Sequence, residues 1–332
     1  MFRKYNSIEN SYQKEFVDRI KREGYDQQTF VVQEKAHGAN FSFWTENGIN
    51  FSYGKRTGEL MWEEKFYNFQ YVFEKVKIQL QMLWTEVNQE FENVEILHIF
   101  GELIGGNYNH ADVAKDKQAV LTQKGIYYSP SNEFYAFDMM INYKNYLDID
   151  IANSLFKKAG MLYAENLFEG NIIECLSYPN EFESTIARQL QLPPILPNIA
   201  EGIVIKPNKT CFFDGGQRVI LKNKNEKWAE VAKRKKRVKP PQEISDKVKY
   251  LQEEILHYIT ENRFNNLLSK LGSFSHKGIG KVLGMFSKDI VEDFEKDFEK
   301  EMNELDKNEQ KLVKKSISNS AKNIILHAIK NQ

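Results

Sequence analysis

The chain has 332 residues, of which 41% are hydrophobic and 13% aromatic, a composition that excludes an intrinsically disordered chain and suffices for two domains. Its 46 basic and 46 acidic residues cancel, so an argument for a polyanionic partner must come from local charge. Two cysteines, Cys175 and Cys211, are too few for a disulfide framework or a cysteine-based metal cluster. Without an apolar N-terminal h-region or a run of about 18 apolar residues, we expect an intracellular, cytoplasmic protein with no membrane span.

The stretch 29–40 reads TFVVQEKAHGAN and predicts a strand over 29–33 that runs into a tight turn. β-Branched and aromatic residues favour the strand, and Gly38 allows a sharp turn or a close approach of the backbone to a ligand. A partly desolvated lysine at the mouth of such a turn is a candidate nucleophile, which singles out Lys35. The alternative is a surface lysine beside a hairpin turn.

The elements around this stretch follow from apolar spacing and turn residues. We predict a helix over 12–23, then a hairpin of strands 41–45 and 50–53 joined by Asn-Gly, and a loop with two cations, Lys55 and Arg56. A long helix is predicted over 63–89, and we assign its apolar stripe to core packing. The run VEILHIFGEL predicts a strand from residue 94 that ends at Glu102, followed by a loop, GELIGGNYNH.

Two further strands deliver charged residues. An aromatic strand ends in Phe137 and Asp138, and a carboxylate that follows an apolar strand is suited to face a site. After predicted helices over 151–159 and 178–190, the strand EGIVIKP runs from Glu201 to Pro207. The last strand, over 218–224, places Lys222 and Lys224 on one face, as a phosphate clamp or as lysines that protect an exposed sheet edge.

The motifs EKAHGAN, KRTG, FGE, FYAFD, EGIVIKP and RVILKNK occur in this order along the chain. Together they resemble the covalent nucleotidyltransferase superfamily, and in detail its ATP-dependent RNA ligases of the RNA ligase 2 type, which include RNA-editing ligases. Two later stretches, YITENRFNNLLSKLG and GKVLGMFSKDI, resemble the helical C-terminal domain of that branch. One departure is Ala39, which stands where threonine is common.

The resemblance implies an α+β fold: a nucleotidyltransferase domain with antiparallel sheets that flank an ATP cleft, plus an all-helical C-terminal domain. We place the domains at 1–232 and 245–332, with a basic linker at 233–244 and Ser245 as the first helix cap. The implied activity seals 3′-hydroxyl and 5′-phosphate ends at nicks in duplex RNA. It proceeds through AMP on Lys35 and then an adenylated RNA end, with ATP as AMP donor and Mg²⁺ or Mn²⁺ as the metal.

The resemblance also assigns roles to single residues. The implied catalytic residues are Lys35, His37, Glu201, Lys222 and Lys224. The implied ATP-binding residues are Glu34 (through its backbone), Asn40, Arg56, Glu102, Phe137, Asp138 and Lys206. Phe137 is expected to stack on adenine, Glu102 to hold the ribose, and Arg56 to contact sugar or phosphate. Glu201 and Glu102 are the implied metal ligands. Arg218, Arg263 and Asp289 are expected to support RNA binding and ligation, and the alternative for the last two is a helix-capping or salt-bridge role within their own domain.

Local charge supports an RNA partner. Residues 201–240 hold 12 Lys or Arg and four Asp or Glu, so their charges sum to +8. We interpret the run KRKKRVK at 233–239 as a linker that contacts the RNA backbone, and the alternative is a nuclear localisation signal. We expect a monomer.

Three other classes of protein fit parts of the pattern. A DNA ligase or an RNA capping guanylyltransferase of the same superfamily would use the same lysine chemistry, but the predicted helical tail leaves no room for the oligonucleotide-binding barrel expected of either. A non-enzymatic RNA-binding module would need no reactive residues, whereas all six motifs keep theirs.

Overall fold

The computed structural model describes residues 1–228, 245–272 and 278–330. Contacts divide the chain into two compact units, Met1–Lys227 and Trp228–Gln332. The predicted basic linker, 233–244, lies outside the described residues. The domain limits of 1–232 and 245–332 therefore stay a prediction. No helix among the described residues is long and apolar enough to cross a membrane.

The first unit contains two β-sheets, in which every pair of neighbouring strands is antiparallel except β1 and β11. One sheet has the order β1-β11-β10-β2-β9 and the other β5-β4-β3-β6-β7-β8. The strands are β1 (Glu9–Asn10), β2 (Phe30–Glu34), β3 (Ala39–Thr45), β4 (Ser52–Lys55), β5 (Gly58–Leu60), β6 (Leu97–Gly105), β7 (Asn132–Ile141), β8 (Asn145–Tyr146), β9 (Asn166–Gly170), β10 (Gly202–Pro207) and β11 (Leu221–Lys224).

Helices cover the outer face of each sheet. They are α1 (Lys14–Arg22), α2 (Phe69–Glu90), α3 (Ile149–Lys158), α4 (Ile172–Ser177) and α5 (Ile186–Gln189). Phe41 and Phe43 of β3 pack in one core with α2 and α3, and Val32 of β2 and Ile203 of β10 pack in another with α1 and α4. Because side chains alternate along a strand, the residues between these positions point away from the helices, toward the space between the sheets.

Three predicted elements differ from the structure. The helix predicted over 178–190 is wrong: α4 ends at Ser177 and α5 begins at Ile186, and Pro179 disfavours helix at the residue before it. The loop predicted from Gly101 is also wrong, since β6 continues to Gly105. The long helix begins at Phe69, not at 63, because Asn68 has a positive φ of 57°.

The second unit is helical throughout its described part, as predicted. Its helices are α6 (Asp246–Leu256), α7 (Glu261–Leu271), α8 (Ile279–Asp297), α9 (Glu299–Asn303), α10 (Lys307–Lys315) and α11 (Ile317–Lys330). The predicted cap is confirmed, because the Ser245 hydroxyl accepts a hydrogen bond from the Val248 amide. Phe264, Phe286 and Phe294 lie at the centre of the core.

Candidate active site

Lys35 lies directly after β2, where the alternation of that strand directs its side chain into the space between the sheets. Antiparallel pairing of β2 with β10 brings this end of β2 beside the start of β10, and the Lys35 amide donates to the Gly202 carbonyl at 2.9 Å. The residue before β10 is Glu201. Its carboxylate therefore lies next to the Lys35 side chain, with Nζ 2.8 Å from Oε2.

The Glu201 carboxylate bridges two ammonium groups. Its other oxygen is 2.9 Å from Lys224 Nζ, and His37 Nδ1 lies 3.5 Å from the first oxygen. Burial would raise the pKa of Glu201, but Lys224, Lys35 and His37 hold it well below its usual value. The carboxylate thus stays ionised, and it organises three of the predicted catalytic residues. The fifth predicted catalytic residue, Lys222, precedes Lys224 by two positions on β11 and shares its side of the strand.

The turn after Lys35 is packed too closely to admit a side chain at Gly38. A Cβ atom there would lie 2.4 Å from the Leu103 carbonyl oxygen. The His37 amide donates to the Tyr128 hydroxyl at 2.8 Å, which fixes the same turn from another side. The turn therefore needs glycine because the neighbouring strand approaches closely, and the predicted approach of this backbone to a ligand stays a prediction.

Asn40 and Glu102 face the turn from the second sheet. They are direct partners in the pairing of β3 with β6. Burial raises the pKa of Glu102 to about 7. The negative charge of Glu201 also raises it, whereas the positive charge of Lys35 lowers it. Glu102 therefore changes charge near neutral pH beside the candidate nucleophile, which suits a residue that binds a ligand.

Phe137 occupies a bulge in β7. Phe100 and Gly101 of β6 are adjacent, but their partners on β7 are Asp138 and Ala136, so Phe137 is the extra residue. Ala136 and Met139 both point into the helix-covered core, and the two residues between them face the space between the sheets. The bulge is what places consecutive residues, an aromatic and an acid, on the side of the site.

Asp138, Lys206 and Arg218 form a buried charge network behind Phe137. Arg218 Nη1 lies 2.6 Å from Asp138 Oδ2, and Lys206 Nζ lies 3.7 Å from the same oxygen and donates to the Phe137 carbonyl at 2.8 Å. Burial lowers the pKa of Lys206 to about 8 despite Asp138. All three side chains are at most 2% exposed. The network uses these groups to bind one another, and the predicted roles of Asp138 and Lys206 toward nucleotide and of Arg218 toward RNA stay predictions.

The two remaining predicted ATP-binding residues have partners within the fold. The Glu34 carboxylate accepts from the Ser184 hydroxyl at 2.6 Å and from the Thr185 amide at 2.7 Å. Arg56 donates to the Tyr5 carbonyl at 2.6 Å. The Glu34 side chain thus anchors the start of α5, and the proposed reading of adenine by its backbone stays a prediction.

The described residues do not form a closed metal site. They contain no cluster of three or more His, Cys, Asp or Glu side chains that could hold a metal ion. Of the two predicted ligands, Glu201 already uses both oxygens to bind lysines, which leaves Glu102. The protein groups alone therefore do not fit the predicted metal, and a divalent cation here would depend on oxygen ligands from phosphates.

Arg263 and Asp289 meet in the second unit, as the salt-bridge alternative predicted. Arg263 Nη1 lies 2.7 Å from Asp289 Oδ2 and 2.9 Å from Asp293 Oδ2, and the arginine side chain is 2% exposed. This pairing joins α7 to α8. Their support of ligation stays a prediction.

Several residues of these networks were missed by sequence reasoning. Tyr5 lies in a polar stretch without periodicity, and Tyr128 lies in a long loop, so neither carried a signal. Asp293 did carry one, because it follows Asp289 by four positions on a helix and so shares its face. The cap Asn171 and its partner Glu174 form a capping box that would have placed α4 correctly.

Comparisons with known proteins identify the family of the chain. The RNA ligase family model matches residues 28–224, more than half of the chain, and the model of the T4 RNA ligase 2 C-terminal region matches residues 241–323. Mitochondrial RNA-editing ligase 2 of Trypanosoma brucei brucei is 26% identical over 354 aligned residues, which cover 89% of this chain and 83% of that protein.

Solved structures of a Naegleria gruberi RNA ligase are more distant. An apo mutant form has a TM-score of 0.44 at 15% identity, and a form with PPi has 0.43 at 16%. Each match covers 68% of this chain, which spans 57% of the length of those chains. The family models carry the conclusion: the chain belongs to the RNA ligase family and is an RNA ligase of the RNA ligase 2 type.

Proposed function

We propose that the protein uses ATP to seal nicks between 3′-hydroxyl and 5′-phosphate ends in duplex RNA, through AMP bound covalently to Lys35. The observation that carries the proposal is the position of Lys35 Nζ, 2.8 Å from the Glu201 carboxylate, which also binds Lys224 Nζ at 2.9 Å. An amine held at a glycine turn between two sheets, beside ionised groups of both signs, is arranged for attack on a phosphate.

In the first step the Lys35 nitrogen attacks the α-phosphorus of ATP. The Lys35 ammonium first releases one proton to solvent, which frees the lone pair for attack. A P–N bond then forms, the P–O bond to pyrophosphate breaks, pyrophosphate leaves with the electron pair, and the nitrogen releases a second proton to solvent. Glu201 stays a carboxylate because its pKa is well below its usual value, so it is a weak base and acts by holding Lys35 in place. Lys224 and Lys222 bring positive charge toward the developing negative charge on phosphate.

The nucleotide itself would lie against the second sheet. Phe137 offers a ring for adenine, and Glu102 offers a carboxyl group to the ribose. Since the pKa of Glu102 is about 7, this group can accept or donate a hydrogen bond near neutral pH. Arg56, held through its contact with the Tyr5 carbonyl, directs positive charge to the sugar or phosphates.

Two further displacements complete the reaction. A 5′-phosphate oxygen of RNA attacks the phosphorus of AMP, the P–N bond breaks and Lys35 is released. The 3′-hydroxyl of the adjoining strand then releases its proton to solvent and its oxygen attacks the 5′-phosphate. A P–O bond forms between the two strands, the P–O bond to AMP breaks, and AMP leaves. A divalent cation, Mg²⁺ or Mn²⁺, held by Glu102 together with phosphate oxygens, would neutralise phosphate charge when bound.

RNA as the substrate follows from the family, and duplex RNA is the finer proposal. It is supported by the match of the second unit to the C-terminal region of T4 RNA ligase 2 and by the local charge of +8 over residues 201–240. Proteins read A-form duplexes mainly through phosphates, 2′-hydroxyls and shape. We therefore expect little dependence on base sequence.

The proposal is tested by sealing a labelled nick of one sequence as an RNA duplex, as a DNA duplex and as single strands. We expect fastest sealing of the RNA duplex with ATP and Mg²⁺. Lys35→Ala should abolish sealing, and Lys55→Ala is the control, since Lys55 lies in the neighbouring hairpin and pairs with half-exposed Glu64 at 3.7 Å. Equal rates on single-stranded RNA would refute the duplex preference, and retained sealing by Lys35→Ala would refute the mechanism.

A further inference from the structure

The N-terminal segment, which we define as Tyr5–Ser11, contacts three elements of the candidate nucleotide site. None of the motifs that predicted the site includes it. Tyr5 is 4% exposed, and its side chain and its carbonyl bind different parts of the site. The end of the segment pairs with β11, the strand that carries Lys222 and Lys224.

The Tyr5 side chain contacts both residues that the bulge of β7 turns toward the site. Its ring meets the Phe137 ring edge-on, with centroids 4.9 Å apart, and its hydroxyl donates to Asp138 Oδ2 at 2.8 Å. Arg218 Nη1 donates to the same hydroxyl at 3.3 Å. Since Phe137 is the extra residue of the bulge, its position depends on side-chain contacts more than that of a regularly paired strand residue does.

The segment also contacts the Arg56 guanidinium and the backbone of Lys222. The Tyr5 carbonyl accepts from Arg56, and the Ser7 hydroxyl lies 3.5 Å from the other guanidinium nitrogen. Farther along, the Ser11 amide donates to the Lys222 carbonyl at 2.9 Å. One short segment thus touches the residues expected to bind adenine, sugar and α-phosphate.

We infer that the N-terminal segment is a positioning element of the nucleotide site, in which Tyr5 sets the places of Phe137 and Arg56 relative to each other. The inference rests on the proposed function, since it takes these two residues as nucleotide-binding groups. Tyr5 acts through them and does not touch the nucleotide. A nucleotide that needs both contacts at once then binds best when the segment is in place.

The test compares Tyr5→Phe with Tyr258→Phe in the full chain. The two tyrosines are matched: each is 4% exposed, each donates to an aspartate (Asp138 or Asp297), and each ring lies 5.7 Å from an arginine guanidinium (Arg218 or Arg263). We expect Tyr5→Phe to raise the KM for ATP in adduct formation by about three- to tenfold with kcat little changed, as for lost positioning. Tyr258→Phe should leave both constants unchanged.

Tyr5→Ala removes the ring as well and should raise the KM further. An unchanged KM in both Tyr5 variants would overturn the inference. So would equal kinetic losses in Tyr5→Phe and Tyr258→Phe, because they would reflect lost stability in general.

Amide hydrogen exchange without nucleotide gives a second measurement that does not depend on catalysis. We expect Tyr5→Phe to speed exchange in 135–139 and 54–58, with Tyr258→Phe unchanged there. Unchanged exchange in both segments would overturn the inference. If the unaltered protein formed no adduct with ATP, the proposed function would fail, while the exchange data would still decide what Tyr5 holds.

Discussion

Replacing Glu102 with glutamine should stabilise the protein above neutral pH while it impairs the reaction with ATP. Burial next to Glu201 raises the pKa of Glu102 from 4.5 to about 7, so the folded protein resists ionisation of this group. At a pH between these two pKa values, Glu102 of the folded protein keeps a proton that the unfolded chain has released. The free energy of unfolding therefore falls as pH rises from about 4.5 to about 7, and it stays lower above that range.

The size of the effect follows from the pKa. A pKa difference between 4.5 and about 7 corresponds to about 3.5 kcal/mol at about 1.4 kcal/mol per pH unit, and the intermediate exposure of the side chain reduces it to about 1–3 kcal/mol. Glutamine cannot ionise and avoids this cost. We expect Glu102→Gln to match the unaltered protein below pH 5 and to exceed its free energy of unfolding by that amount at pH 8.5.

Urea unfolding followed by tryptophan fluorescence measures this difference, since Trp44, Trp62 and Trp84 all lie in the first unit. Glu201→Gln is a control of opposite sign, because the pKa of Glu201 is lowered and its charge stabilises the fold above pH 4.5. Exposed Glu92→Gln should change little at either pH. A stability difference for Glu102→Gln that is the same at pH 5 and pH 8.5, or a loss at both, would refute the reasoning.

Three further predictions concern the glycine turn, the ion pair in the second unit, and a fragment that lacks the second unit. Gly38→Ala should lower the free energy of unfolding by about 1–3 kcal/mol and abolish most adduct formation, because its Cβ would meet the Leu103 carbonyl. Gly284→Ala is the control, since a Cβ at Gly284 has open space and should be tolerated. A normal adduct yield from Gly38→Ala would contradict this. Arg263→Ala should lower the free energy of unfolding of the second unit by about 3–5 kcal/mol, because it leaves Asp289 and Asp293 facing each other without the arginine. Thermal unfolding measures this loss, and a loss below about 1 kcal/mol would contradict the contact. A fragment ending at Lys239 should still form the adduct but seal nicked RNA poorly, because the site lies within Met1–Lys227; full sealing would remove the second unit from the reaction.

The motif residues predicted the limits of the strands around the candidate site well. The end of β2, the glycine turn and the start of β10 were placed within one or two residues, because short apolar strands with charged ends specify their own limits. The ion pair of Lys35 with Glu201 follows once β2 and β10 are antiparallel neighbours. The helical second unit was likewise predictable from apolar spacing of three and four residues.

Contacts between distant segments were not predictable. Tyr5 and Asp138 are 133 positions apart, and neither the bulge that exposes Phe137 nor the network behind it leaves a periodic signal. The buried state of Arg218 was missed for the same reason: arginine is usually exposed, and only the fold shows that a buried carboxylate pairs with it. The wrong helix over 178–190 came from reading apolar spacing across a proline.

The central claim is that Lys35 carries AMP during ligation. Incubation of the full chain with α-labelled ATP and Mg²⁺, followed by peptide mass mapping, tests it most directly, with Lys35→Ala and Lys55→Ala run in parallel. The account predicts an acid-labile AMP adduct on the peptide that contains Lys35, absent from Lys35→Ala and of full yield in Lys55→Ala. An adduct on another residue, an adduct formed with GTP but not ATP, or no adduct with either nucleotide would contradict it.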